Sequence, residues 1–318
     1  MKKFQTMSPY PWQERSWGEV TSMAAQGKLA HSVLLQGDDG LDDFAIALAL
    51  YLLCRAPNDN LACGRCKDCE LFAAGSHPDF HYTGLEEKAS QIKVDQIRLL
   101  IDFVTKTAQR EKRKVVVLNP ASAMNINAAN ALLKCLEEPS GDTVLILLQE
   151  SQKMLLPTIR SRCSVLKLPQ PSKNSAVAWL EAKGVASPED ALKYAQNSPL
   201  LAWRLSSEGQ LSLWQKIYQL LDKHIQRGMN PMQLVLAWKG VALSELIQIV
   251  LSWLEDKIRS AFAAGVERQV VVKLYTCRDS LAKKKQRLHL GFNLNEQLVL
   301  EEVAIELQAC ADLSPKSL

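Results

Sequence analysis

The fold of this chain is decided by residues 31–54, the stretch HSVLLQGDDGLDDFAIALALYLLC. A short apolar run that begins at Ser32 precedes a turn containing Gly37 and Gly40, and a longer apolar segment follows the turn. The run has the length of a strand, and the segment is long enough for about three turns of helix. A strand, a glycine turn and a helix in this order form the layout of a nucleotide-binding α/β unit.

Four further apolar runs of strand length follow, at residues 79–84, 114–119, 143–149 and 164–168. Two of them are apolar throughout their centres, which is typical of parallel strands covered on both faces. Helical patterns separate the runs, and Asp95 and Asn127 are the predicted N-caps of two of these helices. We therefore expect a doubly wound α/β domain with a parallel five-stranded sheet and flanking helices.

The chain of 318 residues is long enough for three domains. The sequence pattern predicts an α/β domain at residues 1–168, a small helical domain at 169–207 and an all-helical domain at 208–318. A net charge of +4 does not by itself indicate a nucleic-acid-binding protein. The longest strongly apolar run, residues 45–54, is too short to span a bilayer.

The glycine turn departs from a functional phosphate-binding loop, G-x-x-x-x-G-K-[ST], after its first glycine, Gly37. Asp42 stands at the second glycine, Asp43 at the lysine and Phe44 at the Mg²⁺-binding hydroxyl, although Gly40 lies nearby. A carboxylate at contact distance from a phosphate costs about 4 kcal/mol at an effective dielectric of about 20. By itself the turn is equally compatible with a chance glycine between a strand and a helix.

A second position supports the interpretation of a degenerate nucleotide site. After the run KVVVL, an ATPase of this type carries an acidic pair for Mg²⁺ and the attacking water, whereas this chain has Asn119 and Pro120. Both positions, in the expected order, have lost the same chemistry. We expect an inherited ATPase scaffold that binds no nucleotide.

Four of the eight cysteines lie within sixteen positions, spaced C-x8-C-x2-C-x2-C. They are Cys54, Cys63, Cys66 and Cys69. This spacing predicts a structural zinc ion bound by four thiolates within residues 54–69. An iron–sulfur cluster and unliganded thiols are the alternatives, but the bacterial cluster motif needs a further Cys-Pro that is missing after Glu70.

Several motifs in order resemble one protein family. They are YPW from Tyr10, the degenerate loop, the four cysteines, HPDF from His77, KVVVLNPASAMNINAANALLKCLEEPSGDTVLILL from Lys114, and SRC from Ser161. Together they closely resemble the delta-prime subunits of bacterial DNA polymerase III clamp loaders, over roughly residues 10–168. The rest of the chain agrees in architecture, with weaker local signals.

The resemblance implies an AAA+ module, a small helical lid domain and a helical C-terminal collar domain. It also implies a nucleotide-free scaffold subunit, which is not an enzyme by itself but a component of the DNA-directed DNA polymerase holoenzyme. The implied partners are the tau/gamma ATPase subunits and the delta subunit. The assembly loads the beta sliding clamp on primed DNA, in the cytoplasm at the nucleoid-associated replisome.

The resemblance further implies that Arg162, in the SRC motif, is an arginine finger for the ATP of a neighbouring tau/gamma subunit. Arg160 is a substitute candidate, and a surface ion pair is the plain structural alternative for Arg162. In the lid, active relatives carry an arginine that contacts the nucleotide, whereas this chain has Leu200. The usual glycine of that lid motif is replaced by Asn197, which makes the local turn uncertain.

Two other functions compete with the scaffold hypothesis. An autonomous AAA+ ATPase is disfavoured by Asp43, Asn119 and Leu200. A zinc-dependent DNA-binding module predicts a salt-sensitive DNA affinity that is lost on chelation, whereas a structural zinc ion mainly stabilises the fold.

Overall fold

The structure is a computed structural model that describes residues 8–110, 113–151, 153–227, 230–290, 292 and 294–311. The chain divides into two compact units, Met1–Ser175 and Ala176–Leu318, and each is described by itself. Among the described residues, no helix combines the length and apolar character needed to cross a membrane.

The first unit is built on a parallel sheet of five strands in its described part. The strands are β1 (Ser32–Gly37), β2 (Phe80–Gly84), β3 (Lys114–Asn119), β4 (Thr143–Glu150) and β5 (Ser164–Lys167). Their order is β2-β3-β4-β1-β5, and in the centre Val117 and Val33 both pair with Ile146. The five predicted strands and the doubly wound α/β fold are confirmed.

Helices cover both faces of this sheet. They are α1 (Glu14–Ala25), α2 (Leu41–Leu53), α3 (Lys67–Ala73), α4 (Val94–Thr105), α5 (Ile126–Glu137) and α6 (Pro157–Arg160). Successive strand residues point to opposite faces, so Val33 and Leu35 pack with α1 and α2 while Leu34 packs with α4 and α5. Burial on both faces explains why the central strands are apolar throughout their centres.

Two predicted helix starts are wrong by two residues. The N-cap of α5 is Asn125, whose side-chain oxygen accepts a hydrogen bond from the Ala128 N–H at 2.8 Å, and Asn127 lies inside the helix. The N-cap of α4 is Lys93, whose N–H donates to the Gln96 side chain at 3.0 Å, and Asp95 lies in the first turn. Several polar residues precede each helix, and only the packed chain selects the one that caps it.

The second unit is helical throughout its described part. Its helices are α7 (Lys173–Ala182), α8 (Pro188–Tyr194), α9 (Pro199–Ser207), α10 (Leu211–Arg227), α11 (Pro231–Ala237), α12 (Leu243–Ala263), α13 (Arg268–His289) and α14 (Glu296–Ala311). One hydrophobic core runs through all of them, from Ala176 to Leu307, and it contains the buried indoles of Trp214, Trp238 and Trp253. The division at residues 207/208 stays a prediction, since residues on both sides share this core.

Candidate functional site

The glycine turn after β1 is closed by the chain's own N-terminal segment. Gly40, at the start of α2, has a left-handed φ of 73°. A Cβ at this position would lie 2.6 Å from the ring of Tyr10, so only glycine fits beneath that ring. The Gln13 side-chain amide donates to the carbonyl oxygens of Asp39 and Gly40, both at 3.1 Å.

Asp43, which stands where a phosphate-binding loop has its lysine, is hydrogen-bonded to a tyrosine. The Tyr10 hydroxyl donates to Asp43 Oδ2 at 2.6 Å. Burial, followed by this hydrogen bond and the charge of Asp43, raises the pKa of Tyr10 well above its usual value. Tyr10 therefore stays protonated and remains a donor to Asp43 at neutral pH.

The two degenerate positions predicted from the sequence form one hydrogen-bonded cluster. Asn119, at the end of β3, donates from Nδ2 to Asp42 Oδ1 at 3.1 Å and to the Tyr82 hydroxyl at 3.2 Å. The Tyr82 hydroxyl in turn lies 3.4 Å from Asp42 Oδ1. Burial and the nearby Asp42 charge raise the pKa of Tyr82 to about 12. The two sequence positions that depart from an active ATPase therefore bond to each other in the folded chain.

The remaining loop positions also have protein partners. Asp38 accepts hydrogen bonds from the Ser151 N–H and the Gln170 side chain, both at 3.0 Å. Phe44, at the position of the Mg²⁺-binding hydroxyl, is fully buried and packs edge-on against Trp17 with ring centroids 5.3 Å apart. Gly37 lies against Leu168, whose Cβ would be 3.0 Å from a Cβ at the glycine.

The lid position predicted to be degenerate belongs to the second unit. Leu200 lies in the first turn of α9, which follows a turn through Gln196 and Asn197 with φ values of 55° and 63°. The Ser198 side chain caps the helix by accepting from the Leu201 N–H at 3.1 Å. Asparagine is among the few residues other than glycine that adopt a left-handed φ readily, so this turn forms without a glycine at Asn197.

The four predicted metal ligands come together at the ends of α2 and α3. Cys54 follows the last residue of α2, Cys66 precedes the first residue of α3, and Cys69 lies in its first turn. Their sulfur atoms lie within 4.8 Å of one another, and three of the pairs are 3.5, 4.0 and 4.0 Å apart. A tetrahedron with Zn–S bonds of about 2.3 Å has edges of about 3.8 Å. The cluster therefore fits a four-coordinate metal ion.

The electrostatics of the cysteine cluster also suit a cation. Hydrogen bonds lower the pKa of Cys63 to about 6, and the one from the backbone N–H of Arg65 has the largest effect. The N–H of Cys63 itself points at the Cys54 sulfur, 3.2 Å away. Burial raises the pKa of Cys54 and of Cys69, and in such a site a metal ion supplies the positive charge that stabilises buried thiolates.

A buried carboxylate beside the cysteines joins the cysteine segment to the loops that precede β2 and β3. Asp68 is 1% exposed and lies 2.9 Å from Arg55, 2.7 Å from Arg110 and 3.3 Å from His77. Its burial opposes ionisation, but the hydrogen bond and charge of Arg110 outweigh it and hold the pKa of Asp68 below its usual range. Asp79 accepts from the backbone N–H groups of Gln109 and Arg110, both at 2.8 Å.

Arg162 lies away from these two sites, between α6 and β5. Its Nε donates to Glu137 at 2.6 Å, and another guanidinium nitrogen donates to the Thr158 carbonyl oxygen at 3.0 Å. The side chain is 33% exposed and Glu137 is 49% exposed, while Arg160 points into solvent. Within this chain, Arg162 makes the surface ion pair that was its alternative assignment.

Three residues that contact the loop were not predicted from the sequence to do so. Gln13 and Tyr82 were not singled out, and Tyr10 was noted only as part of a motif. No local pattern identifies them, because they contact the loop from positions 27 and 40 residues away in sequence. Asp68 was likewise missed, although the HPDF motif that supplies its partner His77 was noted.

The parallel sheet, the glycine turn that opens α2 and the cysteine cluster define an AAA+-like α/β protein. The sequence model of the family described as DNA polymerase III, delta subunit, matches residues 12–172. A DNA polymerase III subunit delta' of Pseudomonas aeruginosa is 37% identical over 93% of this chain and 96% of its own length. The chain belongs to the family of DNA polymerase III delta' subunits.

A second curated relative agrees with this assignment. A DNA polymerase III subunit delta' of Haemophilus influenzae is 32% identical, covering 82% of this chain and 80% of that protein. Among solved structures, a DNA polymerase III gamma subunit-related protein of Thermotoga maritima matches at 18% identity with a TM-score of 0.46. That match covers 93% of this chain and 99% of the other. The resemblance found in the sequence is confirmed by the family match.

Proposed function

We propose that this chain is a scaffold subunit of the DNA polymerase III clamp loader that binds no ATP itself. It assembles with tau/gamma and delta subunits in the cytoplasmic replisome, and the assembly loads the beta sliding clamp on primed DNA. The family assignment supports the complex. The observation that carries the scaffold role is the loop site, where the chain's own side chains fill the place of a nucleotide.

Three contacts at the loop oppose nucleotide binding. The Tyr10 ring covers Gly40, the Tyr10 hydroxyl binds Asp43, and Asn119 binds Asp42. A triphosphate would have to displace these contacts and then face carboxylates in place of a lysine. Each close like-charge contact costs about 4 kcal/mol at an effective dielectric of about 20. The loss of the internal contacts and the charge repulsion therefore both disfavour nucleotide binding.

Nucleotide binding by the isolated full-length chain tests this part of the proposal. We expect no saturable binding of ATP with Mg²⁺ by calorimetry, while a tau/gamma ATPase subunit in the same buffer binds and validates the assay. Micromolar ATP affinity of the isolated chain would overturn the scaffold proposal in favour of an autonomous ATPase.

We propose further that Arg162 acts in trans on the ATP of the neighbouring tau/gamma subunit. Its guanidinium is anchored through Nε by Glu137, which leaves part of a partly exposed planar cation free to meet an incoming anion. The bond to the Thr158 carbonyl oxygen fixes the side chain relative to α6. An arginine held in this way is pre-oriented for a phosphate that another subunit presents.

Reconstitution of the clamp loader with Arg162→Ala tests this role. We expect the subunits to assemble while clamp- and DNA-stimulated ATP hydrolysis drops, because one ATP site loses its transition-state cation. Arg160→Ala is the matched control, since it removes an exposed arginine two residues away. Unchanged hydrolysis with Arg162→Ala, or a loss only with Arg160→Ala, would refute the assignment.

We also propose that the cysteine cluster binds one structural zinc ion. The sulfur spacing and the four-thiolate donor set support zinc over hard cations, which prefer oxygen ligands. Four protein ligands leave no open position for catalysis. In this proposal zinc ties α2 to α3, and Asp68 joins the module to the sheet.

A further inference from the structure

The second unit contains a groove that is separate from the loop site, the cysteine cluster and Arg162. It is a cavity of about 600 Å³ between α10 and the loop that joins α11 to α12. Its apolar floor comes from Leu213, Ile217 and Leu220 on one face of α10, and from Val241 on the loop. The volume falls in the range of about 300–1,000 Å³ that is usual for ligand-binding pockets.

Three lysines surround this apolar floor. Lys216 and Lys223 stand seven residues apart on α10, about 10 Å along the helix and on the same side, and Lys239 faces them from the loop. All three are exposed, and no carboxylate among the described residues forms an ion pair with them. The rim therefore presents unneutralised positive charge above an apolar surface.

The opposite end of the groove offers a hydrogen-bond acceptor. Glu245, in the first turn of α12, also lines the groove, and its Oε1 is buried without a hydrogen-bond partner among the described residues. A buried unpaired carboxylate oxygen costs free energy, which a ligand N–H or O–H donor would recover.

We propose that this groove binds an acidic amphipathic segment of a partner protein. Apolar side chains on one side of the segment enter between Leu213, Ile217 and Val241, and acidic side chains beside them pair with the three lysines. The charge complementarity and the apolar floor together select such a peptide. A nucleic acid backbone would meet the lysines but would leave the apolar floor and Glu245 without partners.

The test is a fluorescence-anisotropy titration of the full chain with a labelled synthetic peptide. The peptide carries leucines at helical spacing on one side and glutamates on the flanks. We expect saturable binding that falls at least about tenfold in Lys216→Glu/Lys223→Glu, because each reversal replaces an attraction by a repulsion. Leu220→Gln, which makes the half-buried floor polar, is expected to weaken binding without changing the charge.

Matched controls separate the groove from general electrostatics. Lys283→Glu/Arg287→Glu makes the same charge change at exposed positions of α13 and is expected to retain binding. A peptide of the same composition without one-sided leucines is expected to bind at least about tenfold more weakly. Circular dichroism checks that each variant keeps its helix content and melting temperature.

Three results would overturn the proposal. One is the absence of saturable peptide binding, and another is an equal loss in the groove and control double variants. The third is a single-stranded oligonucleotide that binds and displaces the peptide, since this would make the groove a nucleic acid site. None of these results bears on the loop site or on Arg162, which lie in the other unit.

Discussion

Asp43 makes, at the scale of one residue, a structural contact at the position where a phosphate-binding loop has its lysine. A lysine at this position would attract phosphate, whereas the carboxylate attracts the hydroxyl of Tyr10 at 2.6 Å. Asp42 makes a similar contact, because its Oδ1 accepts a hydrogen bond from Asn119 Nδ2 at 3.1 Å. Each of these acidic residues therefore makes a hydrogen bond within the chain, and these bonds tie the loop to the N-terminal segment and to the end of β3.

The phenol of Tyr82 makes a residue-scale prediction about pH. Its pKa is raised from 10.0 to about 12 by burial and by the charge of Asp42, so the folded chain holds this proton more tightly than the unfolded chain. The resulting stabilisation is complete below about pH 10 and is lost as the pH rises towards about 12. We expect the free energy of unfolding of Tyr82→Phe to fall less steeply between these pH values than that of the wild type.

The wild type and Tyr82→Phe are compared over the same pH series. Both proteins contain the same lysines, the same cysteines and Tyr10, so the titration of these groups affects both curves alike. Denaturant unfolding followed by circular dichroism at each pH gives the two curves. Parallel curves between pH 10 and 12 would show that Tyr82 is not held in its protonated form by the loop.

At the scale of an element, the N-terminus of α5 depends on one side chain. Asn125→Ala removes the 2.8 Å bond to the Ala128 N–H, and we expect it to lower the free energy of unfolding by about 1 kcal/mol. Asn127→Ala is the matched control, because Asn127 is exposed inside the helix and its replacement is expected to be nearly neutral or slightly stabilising. Urea denaturation measures both, and equal effects would contradict the assignment of Asn125 as the cap.

The cysteine cluster makes a second prediction for an element. We expect the purified chain to contain one zinc ion, and Cys66→Ser to lose it with a fall of several degrees in the melting temperature. Cys163→Ser, outside the cluster, is the control and keeps the metal. Elemental analysis and thermal melting measure the two effects. Metal loss that abolishes a salt-sensitive DNA affinity without lowering the melting temperature would favour the DNA-binding alternative.

At the scale of the whole molecule, the second unit joins its predicted lid and collar segments through a buried serine. Ser252 in α12 accepts a hydrogen bond from the Tyr218 hydroxyl at 2.8 Å and donates to the Tyr194 carbonyl oxygen at 3.1 Å. Tyr194 belongs to α8, on the other side of the predicted boundary at 207/208. The same core also runs across that boundary.

We expect Ser252→Ala to destabilise residues 176–318 as one cooperative unit. The substitution leaves the buried Tyr218 hydroxyl without its acceptor, which costs about 1–3 kcal/mol. Hydrogen exchange is expected to lose protection in α8 and α12 together, while the exposed Ser260→Ala on the same helix has little effect. A loss confined to residues after 208 would support two independently stable domains.

Much of the fold was accessible from the sequence, because short-range patterns carry it. The centres of β3 and β4 are apolar at every position since both faces of the sheet are covered, and this predicted the parallel α/β fold. The four cysteines were predicted as one cluster because C-x2-C spacing already places two sulfur atoms together in a tight turn. The departures from a phosphate-binding loop were visible because such a loop is continuous in sequence.

Only the tertiary structure decided which groups fill that loop, because contacts between distant segments depend on packing. Tyr10, Gln13 and Tyr82 reach it from elsewhere in the chain, and Asn119 proved to be bonded to Asp42 across 77 residues. The structure likewise showed that Arg162 is hydrogen-bonded to Glu137 and that Asn125 is the N-cap of α5. The sequence alone determined which residue types of a phosphate-binding loop are missing, because that loop is continuous in sequence, and the packed chain determined which distant side chains bond to the residues that replace them.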